Sequence, residues 1–150
     1  MVNIEEALEI ILEESKSIGY KETDIVSACG YVLSEDIYAN DTLPPFNKSA
    51  MDGYALNSED TQKQKTFEIK GIIKAGETKE YTLAEGEALK IMTGAPLPLG
   101  ADCVVEIEKV SSDLSKLTIE SSIEKGRNII FKGNELESGD LILEKGTIIR

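Results

Sequence analysis

The stretch TFEIKGII, Thr66 to Ile73, alternates apolar and polar residues, and this period of two marks a half-buried strand rather than a helix. The same habit returns in KEYTLAEGEALKIM (79–92), DCVVEIEKV (102–110) and SKLTIESSI (115–123), with turns of Gly, Ser, Asp or Glu between them. RNIIFKGNELESGDLILEKGTIIR (127–150) adds three more short strands, with turns at Gly133, Gly139 and Glu144-Lys145-Gly146. Short strands at even spacing predict a small barrel or sandwich. No fixed-period repeat or low-complexity linker interrupts them.

The sequence before Thr66 follows other rules. Asn3 with Glu6 three residues on forms a capping-box pattern, and Ile4, Ala7, Leu8, Ile11 and Leu12 recur at helical spacing. Ile10 and Ile18 widen the apolar face, and Gly19 supplies the stop. So apolar a helix needs a surface to lie against, in this chain or outside it. Lys21 to Val26 reads as a short strand, Ser27 as the cap of a short helix through Ser34, and Asp36 to Ala39 as extended. Asn57-Ser58-Glu59-Asp60 predicts a turn or one capped helical turn. The chain stops at GTIIR, within strand-like sequence, which leads us to expect a longer protein.

Composition narrows the function. A content of 41% apolar and 29% charged residues belongs to a folded, soluble chain. The net charge of −12, with Arg127 and Arg150 the only arginines, argues against nucleic acid as a partner, because phosphate backbones need clustered Lys and Arg. An anionic ligand would need help from a basic partner surface or Mg²⁺. No apolar run approaches the roughly 20 residues of a membrane span, and no signal peptide is visible, so the expected location is the cytoplasm. The absence of His removes His-based triads and His-ligated metals. Cys29 and Cys103 match no metal or redox spacing and read as two buried, reduced hydrophobes.

The four prolines fall in two pairs, Pro44-Pro45 and Pro96 with Pro98, and stiffen the segments PPFNKSAMDGYAL (44–56) and KIMTGAPLPLGADCVV (90–105). Stiff loops on a β framework can hold a polar group accurately. Asp52-Gly53 reads either as a hairpin turn with a solvated acid or as a carboxylate projected to bind a metal or activate water. Ser49, Ala50 and Gly53 are small enough to let a ligand approach. Thr93-Gly94 reads either as a strand end with an exposed hydroxyl or as an anion cradle, built from the Thr93 hydroxyl and the N–H groups of Thr93, Gly94 and Ala95. Phe46 and Tyr54, which flank the loop, are more simply core anchors. The SGDLILEKGTII hairpin also prompts a biotinyl- or lipoyl-carrier reading, but Lys145 lacks the expected flanking residues.

LPPFNKSAMDGYAL and IMTGAPLPLGADCVV together resemble two hallmark segments of the MoeA family, the molybdopterin molybdenumtransferases, and RNIIFKGNELESGDLILEKGTII resembles a third. The three occur in the family's order and spacing and cover essentially the whole chain. The resemblance implies a mainly β fold with a few helices: an extended domain split between 1–44 and 125–150, with a small β-barrel domain inserted at 45–124. It implies an enzyme that inserts molybdate into adenylylated molybdopterin with Mg²⁺ involved, releases AMP and works as a homodimer. On that pattern Asp52 and Thr93 match catalytic positions, and Ser49, Gly53 and Gly94 match the substrate-binding loops. Where relatives carry Gly-Glu-Asp this chain reads Gly133-Asn134-Glu135, which sets Glu135 apart from the pattern. The pterin-binding domain has no counterpart here, so the chain is expected to be inactive alone. The alternative reading is a non-catalytic, gephyrin-like scaffold.

Overall fold

A computed structural model describes residues 2–16 and 19–150. The chain divides into two compact units: Met1–Ile37 with Leu141–Arg150, and Tyr38–Asp140.

The first unit opens with helix α1 (Ile4–Glu14). The Asn3 side chain accepts from Glu6 N at 2.7 Å, and Glu6 Oε2 accepts from Asn3 N at 3.1 Å. Both halves of the expected capping box are therefore present. No residue of α1 is buried, and Ile4, Leu8, Ile11 and Leu12 are all exposed. Ile18, expected to widen the apolar face, lies outside the described residues. The strand expected at Lys21–Val26 and the helix expected from Ser27 do not form; a three-residue 3-10 turn at Ile25–Ser27 stands there instead. The backbone of 30–33 is bonded to the C-terminal segment, Gly30 N to Ile149 O at 2.8 Å and Leu33 N to Thr147 O at 2.9 Å. With this partner supplied from more than 100 residues away, the local helical preference is overridden. Strand β1 (Ile37–Tyr38) falls in the expected extended stretch and pairs with β10 (Leu141–Leu143). Cys29 is exposed, contrary to expectation.

The second unit holds nearly all of the core. In chain order it contains β2 (Lys48–Ser49), β3 (Gly53–Leu56), helix α2 (Ser58–Lys63), β4 (Thr66–Ile73), β5 (Glu87–Ile91), β6 (Cys103–Glu106), β7 (Val110–Ser112), β8 (Lys116–Ile119) and β9 (Ile129–Ile130). Asn57 caps α2 by accepting from Glu59 N and Asp60 N. Six strands form one curled sheet in the order β6-β3-β5-β4-β8-β7, a half-barrel where the alternating sequence predicts a small barrel or sandwich. Every pairing in it is antiparallel except β4 with β5, whose register shifts between Ile69 and Ile72, beside Gly71. Such an irregularity bends a strand and helps a sheet to curl.

One face of the sheet packs Tyr54, Leu56, Phe67, Ala88, Cys103, Val105, Leu117 and Ile119, and the other packs Ala55, Ile73, Leu83, Leu89, Ile91, Ala95 and Val104. Tyr54 is the core anchor expected of it, its hydroxyl 3.0 Å from Ser112 Oγ, whereas Phe46 is exposed. Burial pushes the Cys103 thiol up to about 12, which keeps it protonated and inert. β3 and β6, neighbours at one end of the sheet, are both buried along their full length, and β3 carries the chain directly out of the Asp52 loop.

Candidate functional site

Asp52 stands immediately before β3, at the end of a three-residue bend that follows β2. The two-residue hairpin expected of Asp52-Gly53 does not form, because β2 and β3 pair with other strands. β2 pairs with β9, while β3 lies between β5 and β6. Gly53 is required by packing: a Cβ there would collide with the backbone carbonyl of Val105. Only a glycine lets β6 come so close, and this approach fixes where the preceding residue leaves the sheet.

Thr93 follows the end of β5, across β3 from β6. Asp52 Oδ1 accepts two bonds from it, one from the backbone N–H and one from Oγ1, each 2.7 Å long. Two loops 41 residues apart are thus joined through one carboxylate oxygen. The Thr93 N–H holds the Asp52 carboxyl below its ordinary range; the Thr93 hydroxyl and the nearby Lys90 charge act in the same direction. Asp52 and Thr93 are both exposed, and both bonds engage Oδ1 rather than Oδ2.

Of the two readings of Thr93-Gly94, this geometry leaves the anion cradle without its donors. Of its three backbone donors, Thr93 N–H goes to Asp52, Gly94 N–H to Ser49 O at 2.8 Å, and Ala95 N–H to Met92 O at 3.0 Å. The Thr93 hydroxyl is spent on Asp52 as well. The protein supplies its own anion, Asp52, to the two Thr93 donors and backbone carbonyls to the Gly94 and Ala95 N–H groups. Gly94 has φ +80 and open space where a Cβ would lie, so it serves the turn.

Ser49 is fully buried, and its Oγ bridges the bend, 2.6 Å from Met51 O and 3.3 Å from Met51 N. Its backbone joins the two proline-stiffened loops: Ser49 N donates to Ala95 O at 3.0 Å, and Leu97 N donates to Asn47 O at 2.9 Å. The third motif reaches the same place. Ser49 pairs with Ile129, Lys48 pairs with Ile130, and Lys48 Nζ lies 3.3 Å from Glu135 Oε1. Glu135 therefore meets a lysine of the first motif without touching Asp52 directly. Sequence reading missed this junction, because two-residue strands carry no periodicity.

A second carboxylate lies close by in the fold. Glu106, paired with Gly53, is buried; Lys109 Nζ at 2.9 Å holds it down to about 2, and Arg127 Nη2 at 3.4 Å assists. It contributes to an open groove with Glu108, Glu120 and Ser111. Among the described residues no group of three or more acids, Cys or His is placed to hold a metal ion.

Three segments that are distant in sequence meet around β2 and the Asp52 bend, two of them through the Asp52 carboxylate itself. The family profile described as "MoeA N-terminal region (domain I and II)" matches residues 2–150. This chain belongs to the MoeA family. Its curated relatives include the "Molybdopterin molybdenumtransferase" of Staphylococcus epidermidis, 35% identical over 97% of this chain and 36% of the relative. That of Staphylococcus aureus is also 35% identical, over 99% of this chain and 36% of the relative. A molybdopterin biosynthesis MoeA protein of Pyrococcus horikoshii superposes over the whole chain with a TM-score of 0.91 at 32% identity, and 41% of that protein is covered. The present MoeA-family chain therefore spans just over a third of the length of its curated relatives.

Proposed function

We propose that this chain is the N-terminal part of an enzyme that inserts molybdate into adenylylated molybdopterin and releases AMP, with Asp52 and Thr93 as its reactive corner. The observation that carries the reading is the double hydrogen bond from Thr93 to Asp52 Oδ1. It keeps the carboxylate ionised, fixes its direction and engages Oδ1 rather than Oδ2. A charged acceptor held so stiffly can orient a water or a substrate oxygen at low entropic cost. Ser49, Gly53 and Gly94 support substrate binding by shaping this surface: a buried hydroxyl brace, a close strand approach and a left-handed turn. The inserted barrel domain is taken as 45–124, a range that contains α2 and the whole six-stranded sheet.

Asp52 alone does not form a metal cage. It suits Mg²⁺ only as one ligand beside substrate phosphate oxygens and waters, as is common for this ion. When bound, the ion would neutralise phosphate charge; the chain's own contribution is the fixed, ionised carboxylate. The basic groups that bind an anionic pterin nucleotide belong on this reading to the pterin-binding part of the full-length protein, a cytoplasmic homodimer. The net charge of −12 supports the absence of a nucleic-acid partner. Among the described residues no helix is long and apolar enough to cross a membrane. The scaffold alternative has less behind it, since the relatives carry a transferase name.

The test is turnover in the full-length protein. Asp52→Ala and Thr93→Val should each lower AMP release by about 10²-fold or more, a typical loss for a positioned acid–base or orienting group, with the melting temperature retained. Thr93→Ser, which keeps both donors, should remain active. Turnover at the parent rate in Asp52→Ala removes Asp52 from the mechanism.

A further inference from the structure

Asn128 is the one non-glycine residue with positive φ, +55, among the described residues. Glycine adopts that conformation at less cost, so a side chain kept there invites a question about what it does. Its amide Nδ2 donates to Val104 O, on β6, at 2.9 Å, and next to it Val104 N donates to Arg127 O at 3.0 Å. Its own carbonyl, aimed by the left-handed turn, accepts from Ala50 N at 2.9 Å. Two residues further along, Asp52 O accepts from Ile107 N at 3.2 Å. The segment Ala50–Met51–Asp52 is thus tied at one end to Asn128, and through its amide to β6, and at the other end to Ile107, the residue after β6, with Ser49 Oγ bracing the middle.

We infer that Asn128 is a positioning residue for Asp52. It touches neither the carboxylate nor any ligand, and acts through Ala50. Side-chain amide and left-handed backbone work together: the first locks the 126–129 turn to β6, the second points the carbonyl at the loop. Without this tie one end of the bend is loose, and the two 2.7 Å bonds to Thr93 lose their fixed geometry. The inference deepens the proposed function only in giving this placement a catalytic purpose; the placement itself is tested separately.

The first measurement follows backbone amides by NMR in the 150-residue chain. Asn128→Gly keeps the left-handed turn and removes only the amide. The Thr93 amide should lose its carboxylate-bonded shift and exchange with solvent about tenfold faster, a loss of about 1.4 kcal/mol of local protection. The amides of Ala55 and Leu89, within the sheet, should keep their protection. Asn128→Asp, which tolerates the turn but cannot donate, should behave in the same way. An unchanged Thr93 amide in both variants overturns the inference. So does loss of protection throughout the sheet in both, which would make Asn128 a residue of general stability. In the full-length protein, Asn128→Gly should lower AMP release about tenfold, yet add nothing in an Asp52→Asn background. Should Asp52→Asn prove fully active, the proposed function falls, while the Thr93 amide still decides whether Asn128 positions Asp52.

Discussion

α1 carries an apolar face and β3 is apolar, yet no residue of α1 is buried and every residue of β3 is. The helix is well formed by local means: a capping box, Glu5 and Glu6 in its first turn, and apolar residues at helical spacing. The strand has almost nothing local in its favour, for it begins at a glycine and runs only four residues. Its stability comes from neighbours on both sides, β5 and β6, and from packing on both faces. Local signals decide which element forms. Long-range packing decides how firmly it is held.

The largest contrast should come from truncating the sheet core. Phe67→Ala removes a side chain only 1% exposed and should cost about 3–5 kcal/mol in denaturant unfolding of the sheet. Ile11→Ala, at a side chain 61% exposed, should cost under about 0.5 kcal/mol by the same measurement. Comparable losses at the two positions would mean that α1 is covered after all.

A smaller effect should separate local from tertiary support. Asn3→Ala removes the cap and should cost about 1 kcal/mol of helix stability, read as faster exchange of the α1 amides. The β3 and β5 amides should be unaffected. A matching loss of protection in the sheet would show that the two regions unfold as one.

The smallest effect should be confined to acid. The Asp52 carboxyl is held below its ordinary value in the folded chain, so between the two values the unfolded chain binds more protons. The stability it lends is complete above about pH 3.9, the ordinary Asp value, and is lost as pH falls through the folded one. Because the group is exposed the change should be slight, and Asp52→Asn should remove it from the pH profile of unfolding.

How far the sequence could be read follows the same division. α1, α2 and β4 were legible because a cap or a period of two is written within a few residues. β2 was not, since two residues cannot express a period; β9 lies in the short strand expected before Gly133, but its pairing with β2 could not be read. The strand expected at Lys21–Val26 fails because no neighbour pairs with it; apolar content without a partner leaves only a 3-10 turn. At the candidate site, Asp52 and Thr93 could be named from their motifs, but the fate of the Thr93, Gly94 and Ala95 donors could not. Each is consumed by an acceptor that only the folded chain brings near. Asn128 went unnoticed, although Asn tolerates the left-handed turn better than most residues and follows a glycine by two positions.

The ties from Asn128 to Ala50 and from Thr93 to Asp52 span long loops of chain. During synthesis the Asp52 bend is therefore made early and secured late, after residue 128 has left the ribosome. Until then the newborn segment carries an unfastened acid beside an unclosed strand, and a pause in translation between 53 and 128 would prolong that exposure.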